Sequence, residues 1–315
     1  MTLLTDDLKI ATKLPDIPKE MPVFDVRAAA LDERQNTIEL LRNHLELGKL
    51  ATIQMDDSLY YASRNGEVQY YRPSGAIWAR NALADEAFND EIRPWKDVKE
   101  VVESRREGMR KVVLAESMQK EMADSAQEIM AKAGLSCKQA YLADVELEQV
   151  AQLDEKGQEA ALKPGEATVR YLYRLEDIQV DGPGAKSYFY FNPFDGRAHL
   201  TGAFHAWREV VDSRPVRMYP AEQVLDLVLT RDRELIQYHE RGATIELTAI
   251  DLVYYALPPF AFQEFVFPAL RVIASVADTS AKPNEAFEIA RFFHATSADD
   301  YMRAECYANY LTTTL

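Results

Sequence analysis

Three residues in the second half of the chain carry side chains suited to proton transfer or metal binding: His199, His205 and Glu209. Imidazole and carboxylate together are the usual material of general acid–base sites and of zinc sites. If a continuous strand carried both histidines, His199 and His205 would share a face, although Gly202 lies between them. A metal site would also want a third ligand with its own supporting contacts. The ordinary reading is two sheet-edge histidines. A second segment, Gly182-Pro-Gly-Ala-Lys-Ser187, looks superficially like a phosphate-binding loop. Its spacing fails, because Ala185 stands where the motif needs glycine before Lys186. A strand pattern rather than a helix follows, so no helix N-terminus faces a phosphate. Gly182 and Gly184 read as backbone-turning residues. No other catalytic motif is found, no catalytic residue is assigned and no cofactor is expected.

Aromatic residues are the stronger signal. The stretch LYYASRNGEVQYYRPSGAIWARN, from Leu59 to Asn81, places four tyrosines and a tryptophan around one Asn-Gly turn. The stretch YFYFNPFDGRAHLTGAFHAWR, from Tyr188 to Arg208, repeats the theme around Asp195-Gly196. In the second, Phe189 and Phe191 alternate with Tyr188 and Tyr190, which predicts phenylalanines toward the core and tyrosines on a half-wet face. Rigid aromatic surface with polar tips suits capture of an extended segment. The candidate binding residues are Tyr61, Tyr71, Trp78, Arg174, Tyr188, Tyr190, Arg197, Trp207 and Arg208. Arg170, Arg174, Lys186, Arg197 and Arg208 form a cationic group that would fix a carboxylate.

Composition bounds the partner. The chain has 315 residues and a formal net charge of -15. That charge disfavours phosphate-tracking nucleic-acid binding and anionic membrane surfaces. The N-terminal residues show no signal-peptide pattern, and no stretch reaches the length of a membrane span, so a cytoplasmic protein is expected. Cys137 and Cys306 belong to no paired motif and read as free thiols.

The elements that must position these residues follow from periodicity. Pro15, Pro18 and Pro22 mark an extended N-terminal arm. Ile38, Leu41 and Leu45 predict a helix from Leu31 to Gly48. Asn65-Gly66 predicts a hairpin. Met118, Met122, Ala126, Ile129 and Met130 predict a second helix over 116–133. Strands are expected at 140–150 and 168–178, with a solvated loop over 154–165 between them. Val169, Tyr171, Tyr173 and Leu175 face the core. A long helix is expected over Pro220–Arg241, with Val224, Leu227, Val228, Leu235 and Ile236 inward. Two more strands and a helical tail complete the chain.

The two aromatic stretches suggest an internal repeat, each with a hairpin turn, a Gly-Ala pair and a Trp near an Arg. The expected fold is α+β: two repeats of a helix packed on an antiparallel sheet, with a C-terminal helical tail. The repeats divide at residues 1–114 and 115–315. DGPGAKSYFYFNPFDGRAHLTGAFHAWREV resembles the core of PepSY-type domains. LVYYALPP and FVFPAL resemble late strands of paired-repeat relatives, which include bacterial regulators of sensor kinases. The resemblance implies a non-catalytic regulatory role. The expected function is therefore a peptide- or protein-binding protein, with a precursor peptide, a protease or a kinase as partner. An enzyme built around His199, His205 and Glu209 is the alternative, a structural subunit is a third class, and a second copy of the chain in a homodimer is a further candidate partner.

Overall fold

Period-two patterning dominates the folded backbone, and strand outweighs helix by 53% to 21%. The structure, a computed structural model, describes residues 9–84, 95, 98–102, 110–153, 159–194, 197–277 and 286–296. The N-terminal part runs β1 (Lys9–Ile10), β2 (Glu20–Arg27), α1 (Leu31–His44), β3 (Ala51–Gln54), β4 (Ser58–Ala62), β5 (Gly66–Tyr71) and β6 (Ala76–Asn81). A separate hairpin, β7 (Val98–Val102) with β8 (Arg110–Leu114), leads into α2 (Glu116–Lys132). Then come β9 (Ala140–Leu153), β10 (Glu159–Leu175), β11 (Ile178–Asp181), β12 (Lys186–Phe194), β13 (Arg197–Ala206) and β14 (Glu209–Arg217). The chain continues through α3 (Ala221–Arg231), α4 (Arg233–Glu240), β15 (Thr244–Tyr255), β16 (Phe265–Ala277) and β17 (Ala286–His294).

All strands but β7 and β8 join one 15-stranded sheet. Its main path is β14-β2-β16-β15-β11-β10-β12-β13-β6-β5-β4-β3, with β1 on β15, β17 on β16 and β9 on β10. The sheet is mixed, because β1 and β11 both run parallel to β15. Helices α1 and α2 cover one face of the β9–β13 and β4–β6 region. Ile38, Leu41, Leu45, Met122 and Ile129 pack there on Val68, Ile77, Val169, Phe189 and Phe191. Each such side chain removed from water contributes roughly 1.5–3 kcal/mol. Helices α3 and α4 pack against β15, β16 and β17 through Val224, Leu225, Leu235, Leu247, Val272 and Phe293.

This architecture overturns the expectation of two helix-plus-sheet repeats with a helical tail. The two aromatic stretches are not equivalent pieces. The first forms three strands, β4, β5 and β6, whereas the second forms two, with Gly202-Ala203 in the middle of β13. The tail region supplies β17, paired antiparallel along β16. Residues beyond Thr296, and the Asp195-Gly196 turn, lie outside the described residues. The N-terminal arm is also strand in part: β2 is bracketed by β14 and β16. Pro22 and Pro215 sit opposite each other there, so the two positions that cannot donate are matched. The expected loop over 154–165 is partly strand, since β10 begins at Glu159.

The helix expected over Pro220–Arg241 is two helices, broken at Asp232. Asp232 Oδ1 accepts from the Glu234 and Leu235 amides, both at 3.0 Å, and so caps α4. Its Oδ2 accepts from Arg291 Nε at 2.9 Å, in the interior. A cap demands extended backbone at Asp232, and that ends α3. Val224 and Leu235 are buried as expected, while the side chains of Leu227 and Val228 lie outside the described ones.

Gly182 and Gly184 do turn the backbone, and closely. A Cβ at Gly182 would meet Ala256 O at 2.4 Å, and one at Gly184 would meet Leu257 O at 2.0 Å. Glycine is required at both for the chain after β15 to pass.

Candidate functional site

Paired residues on neighbouring antiparallel strands share a face, so register fixes what stands side by side. Following it from β3 to β9 gives one continuous row: Ile53, Tyr60, Gln69, Trp78, Phe204, Tyr188, Arg170 and Asp144. A neighbouring row carries Glu67, Arg80, Gly202, Tyr190 and Thr168. Their neighbours Val68, Ala79, Phe189 and Val169 point the other way, into the core beneath α1 and α2. The rows therefore lie on the face opposite α1 and α2, which among the described residues is helix-free. Tyr60, Tyr71, Trp78, Phe204, Tyr188 and Tyr190 are all half-buried there.

The polar tips of these rings are largely unspent. Among the described residues the hydroxyls of Tyr60, Tyr188 and Tyr190 and the indole N–H of Trp78 have no hydrogen-bond partner within the chain. Tyr71 is the exception, donating to Gln69 at 2.8 Å. Tyr188 and Tyr190 meet edge to face, with centroids 6.5 Å apart. The Arg80 guanidinium lies 5.1 Å over the Tyr190 ring and pairs with Glu166 at 2.7 Å. Burial, reinforced by Glu166, pushes the Tyr190 hydroxyl up to about 12. Lys186 Nζ lies 5.5 Å from the Tyr188 ring and makes no ion pair among the described residues. Burial pulls its pKa down, against a weaker upward pull from Asp181. Arg170 is committed instead to Asp144 and Glu146. The face thus offers aromatic area, unspent hydroxyls and one unneutralised ammonium.

The structure distributes the expected binding residues unevenly. Tyr71, Trp78, Tyr188 and Tyr190 come together on the helix-free face. Tyr61 pairs with Val68 and packs toward α1 on the opposite side. Arg174 lies 4.1 Å over the Tyr141 ring at the far end of β10. Arg197 is exposed at the start of β13. Trp207 and Arg208 are interior, 8% and 2% exposed. Trp207 stacks on Tyr173, and Arg208 donates to the carbonyls of Leu257, Pro258 and Ala261. Interior rings and a guanidinium wrapped in backbone carbonyls offer nothing to a guest. Tyr60 and Phe204 join the face without having been expected. Only strand register reveals them, through Tyr60 opposite Gln69 and Phe204 opposite Trp78.

His199, His205 and Glu209 are not brought together. β13 carries one extra residue, Thr201, between the pairs Tyr190–Gly202 and Phe191–Leu200. That bulge reverses the alternation, leaving His199 exposed and His205 buried. Glu209 pairs with Arg27. Among the described residues no cluster of three His, Cys, Asp or Glu side chains is arranged to hold a metal.

His205 does meet a hydroxyl nucleophile type, with Nδ1 2.7 Å from Ser187 Oγ. The arrangement is not poised for catalysis. Arg34 has only donors, and its Nη2 lies 3.4 Å from His205 Nε2, so Nε2 must accept. The ring proton then sits on Nδ1 and is donated to Ser187. A base that already donates to the serine cannot remove its proton. The Tyr173 hydroxyl, 2.6 Å from Ser187 Oγ, completes the buried network. Burial, with Arg34 alongside, holds His205 well below its ordinary range.

Two open grooves lie elsewhere. One of about 590 Å³ runs between α2 and β9, and one of about 630 Å³ lies where β9 and β10 approach β14. Neither is lined by the aromatic residues of the rows, although Asp144 at the end of the first row borders the α2–β9 groove.

Among the described residues no helix is long and apolar enough to cross a membrane. No family model and no curated protein matches the chain. The chain is similar to a solved crystal structure, an uncharacterized protein from Eubacterium rectale determined at 1.45 Å resolution. The TM-score is 0.52 and the identity 11%, covering 95% of this chain and 92% of that one. The likeness is one of fold alone, extending over nearly the whole of both chains.

Proposed function

We propose that the protein is a non-enzymatic binding protein whose helix-free sheet face takes an extended peptide or protein segment. The observation that carries this reading is the row Tyr60, Trp78, Phe204 and Tyr188, half-buried, with Tyr and Trp polar tips left unspent. A row of aromatic side chains running across several strands suits an extended guest, which can lay successive side chains along it. Lys186 supplies a cation for an acidic side chain of the guest. The resemblance to PepSY-type domains fits a regulatory or escort role.

The test is selection of linear peptides from a displayed library on the wild-type chain, followed by calorimetry with the enriched peptide. Trp78→Ala and Tyr190→Ala, with melting temperatures kept, weaken binding by about tenfold or more each. Failure to enrich any peptide, or unchanged affinity in both folded variants, overturns the proposal.

A further inference from the structure

The sheet path ends at β3, which among the described residues pairs only with β4. All four residues of β3 are exposed, and Ile53 and the following Met55 are 51% and 52% exposed. Backbone direction on this edge can be read off. Met55 N donates to Ser58 O at 3.0 Å, so Met55, Ile53 and Ala51 turn their amides toward β4. Thr52 and Gln54 therefore present their N–H and C=O groups outward.

Sheet margins are usually guarded by charge, proline or bulges. β14 has Asp212, Pro215 and a bulge between Val210 and Asp212. β9 has Asp144, Glu146, Glu148 and repeated register shifts against β10. β3, reading Ala-Thr-Ile-Gln, has none of these devices.

From this edge we infer that a second copy of the chain docks on β3, antiparallel, around a two-fold axis through Ile53. A dyad perpendicular to a continuous sheet pairs only residues of the same face. Centring it on Ile53 sets Thr52 against the partner's Gln54 twice over, giving about four N–H···O bonds from the outward backbone groups. On the helix-free face Ile53 meets the partner's Ile53, and Ala51 meets the partner's Met55. Lys49, before the strand, comes alongside the partner's Asp57 in the β3–β4 turn. Both are exposed, and neither has an ion pair within the chain among the described residues. Centring the dyad on Thr52 instead sets Lys49 against the partner's Met55 and Leu50 against the partner's Gln54. The charges and apolar groups then go unmatched, so the Ile53 register is the self-complementary one. Since Ile53 and Tyr60 share a row, docking joins the two aromatic faces into one surface.

The experiment is sedimentation of the full chain over a concentration series, without any guest peptide. A concentration-dependent dimer is expected. Thr52→Pro removes an outward N–H that β4 does not use, so it leaves the fold intact and abolishes the dimer. Lys49→Asp weakens association, and adding Asp57→Lys restores it. In a Cys137→Ser, Cys306→Ser background, Ile53→Cys gives an oxidised dimer. The Cα atoms of such a non-hydrogen-bonded pair lie about 4.5 Å apart, within disulfide reach. Thr52→Cys does not cross-link. A chain that stays monomeric, or a dimer indifferent to Thr52→Pro and to cysteine position, overturns the inference. Trp78→Ala leaves self-association unchanged, which separates this result from the guest-binding proposal.

Discussion

The indole of Trp207 lies flat on the Tyr173 ring, with centroids 4.2 Å apart and planes 4° from parallel. Both rings are interior, and the Tyr173 hydroxyl is held by Ser187. Trp207 is thus a core residue at the end of β13. Trp207→Ala is expected to cost about 3–5 kcal/mol in urea denaturation. Trp207→Phe, which keeps a ring there, leaves affinity for the selected peptide unchanged.

Acid sensitivity follows from two enclosed histidines. His205 is held well below its ordinary range by burial and Arg34, and burial brings His294 down to about 4. Both His294 ring nitrogens are buried without a hydrogen-bond partner among the described residues. The unfolded chain binds these protons near pH 6.5, and the folded chain does not. Stability is therefore full above pH 6.5 and declines as pH falls toward 4, by about 1.4 kcal/mol per pH unit for each group. Urea midpoints measured across that window show the slope, and His294→Leu reduces it by roughly half.

Asp232 divides its two oxygens between the α4 cap and Arg291. Asp232→Asn keeps a capping oxygen and removes the charge beside a buried guanidinium. Breaking such a pair costs about 3–5 kcal/mol, and the low end applies because Glu234 also contacts Arg291. Asp232→Ala costs about 1 kcal/mol more by losing the cap. Denaturation of the two variants side by side checks both numbers.

Lys186 gives guest binding a pH signature. Its pKa is depressed in the free protein, and an acidic guest group favours the ammonium form. Binding is strongest below that pKa and weakens as pH rises through it, earlier than an ordinary lysine near 10.4 dictates. Lys186→Met lowers affinity and flattens the profile in calorimetry at several pH values.

Local periodicity exposed a good part of this molecule. Met118, Met122, Ala126, Ile129 and Met130 form the buried stripe of α2 as their spacing predicts. Phe189 and Phe191 turn inward while Tyr188 and Tyr190 turn out. Pairing between distant segments was not legible. Val266 meets Phe24, and Trp78 meets Phe204, across long stretches of chain that no local pattern encodes. A single inserted residue, Thr201, separated His199 from His205, because one extra residue reverses strand alternation. Trp207 and Arg208 looked available because polar and aromatic residues at a strand end usually are. Arg208 instead satisfies three carbonyls of a segment some fifty residues away, a need visible only once that segment is folded beside it.

β6 and β13 meet through four residue pairs, Ile77–Arg80 against Gly202–His205. This narrow seam is where β3, β4, β5 and β6 are stitched to the rest of the sheet. Trp78 stands on one side of it, with Tyr188 and Tyr190 on the other. A guest gripping both sides acts as a clasp, resisting shear along the stitch line and raising the force needed to unzip the molecule there.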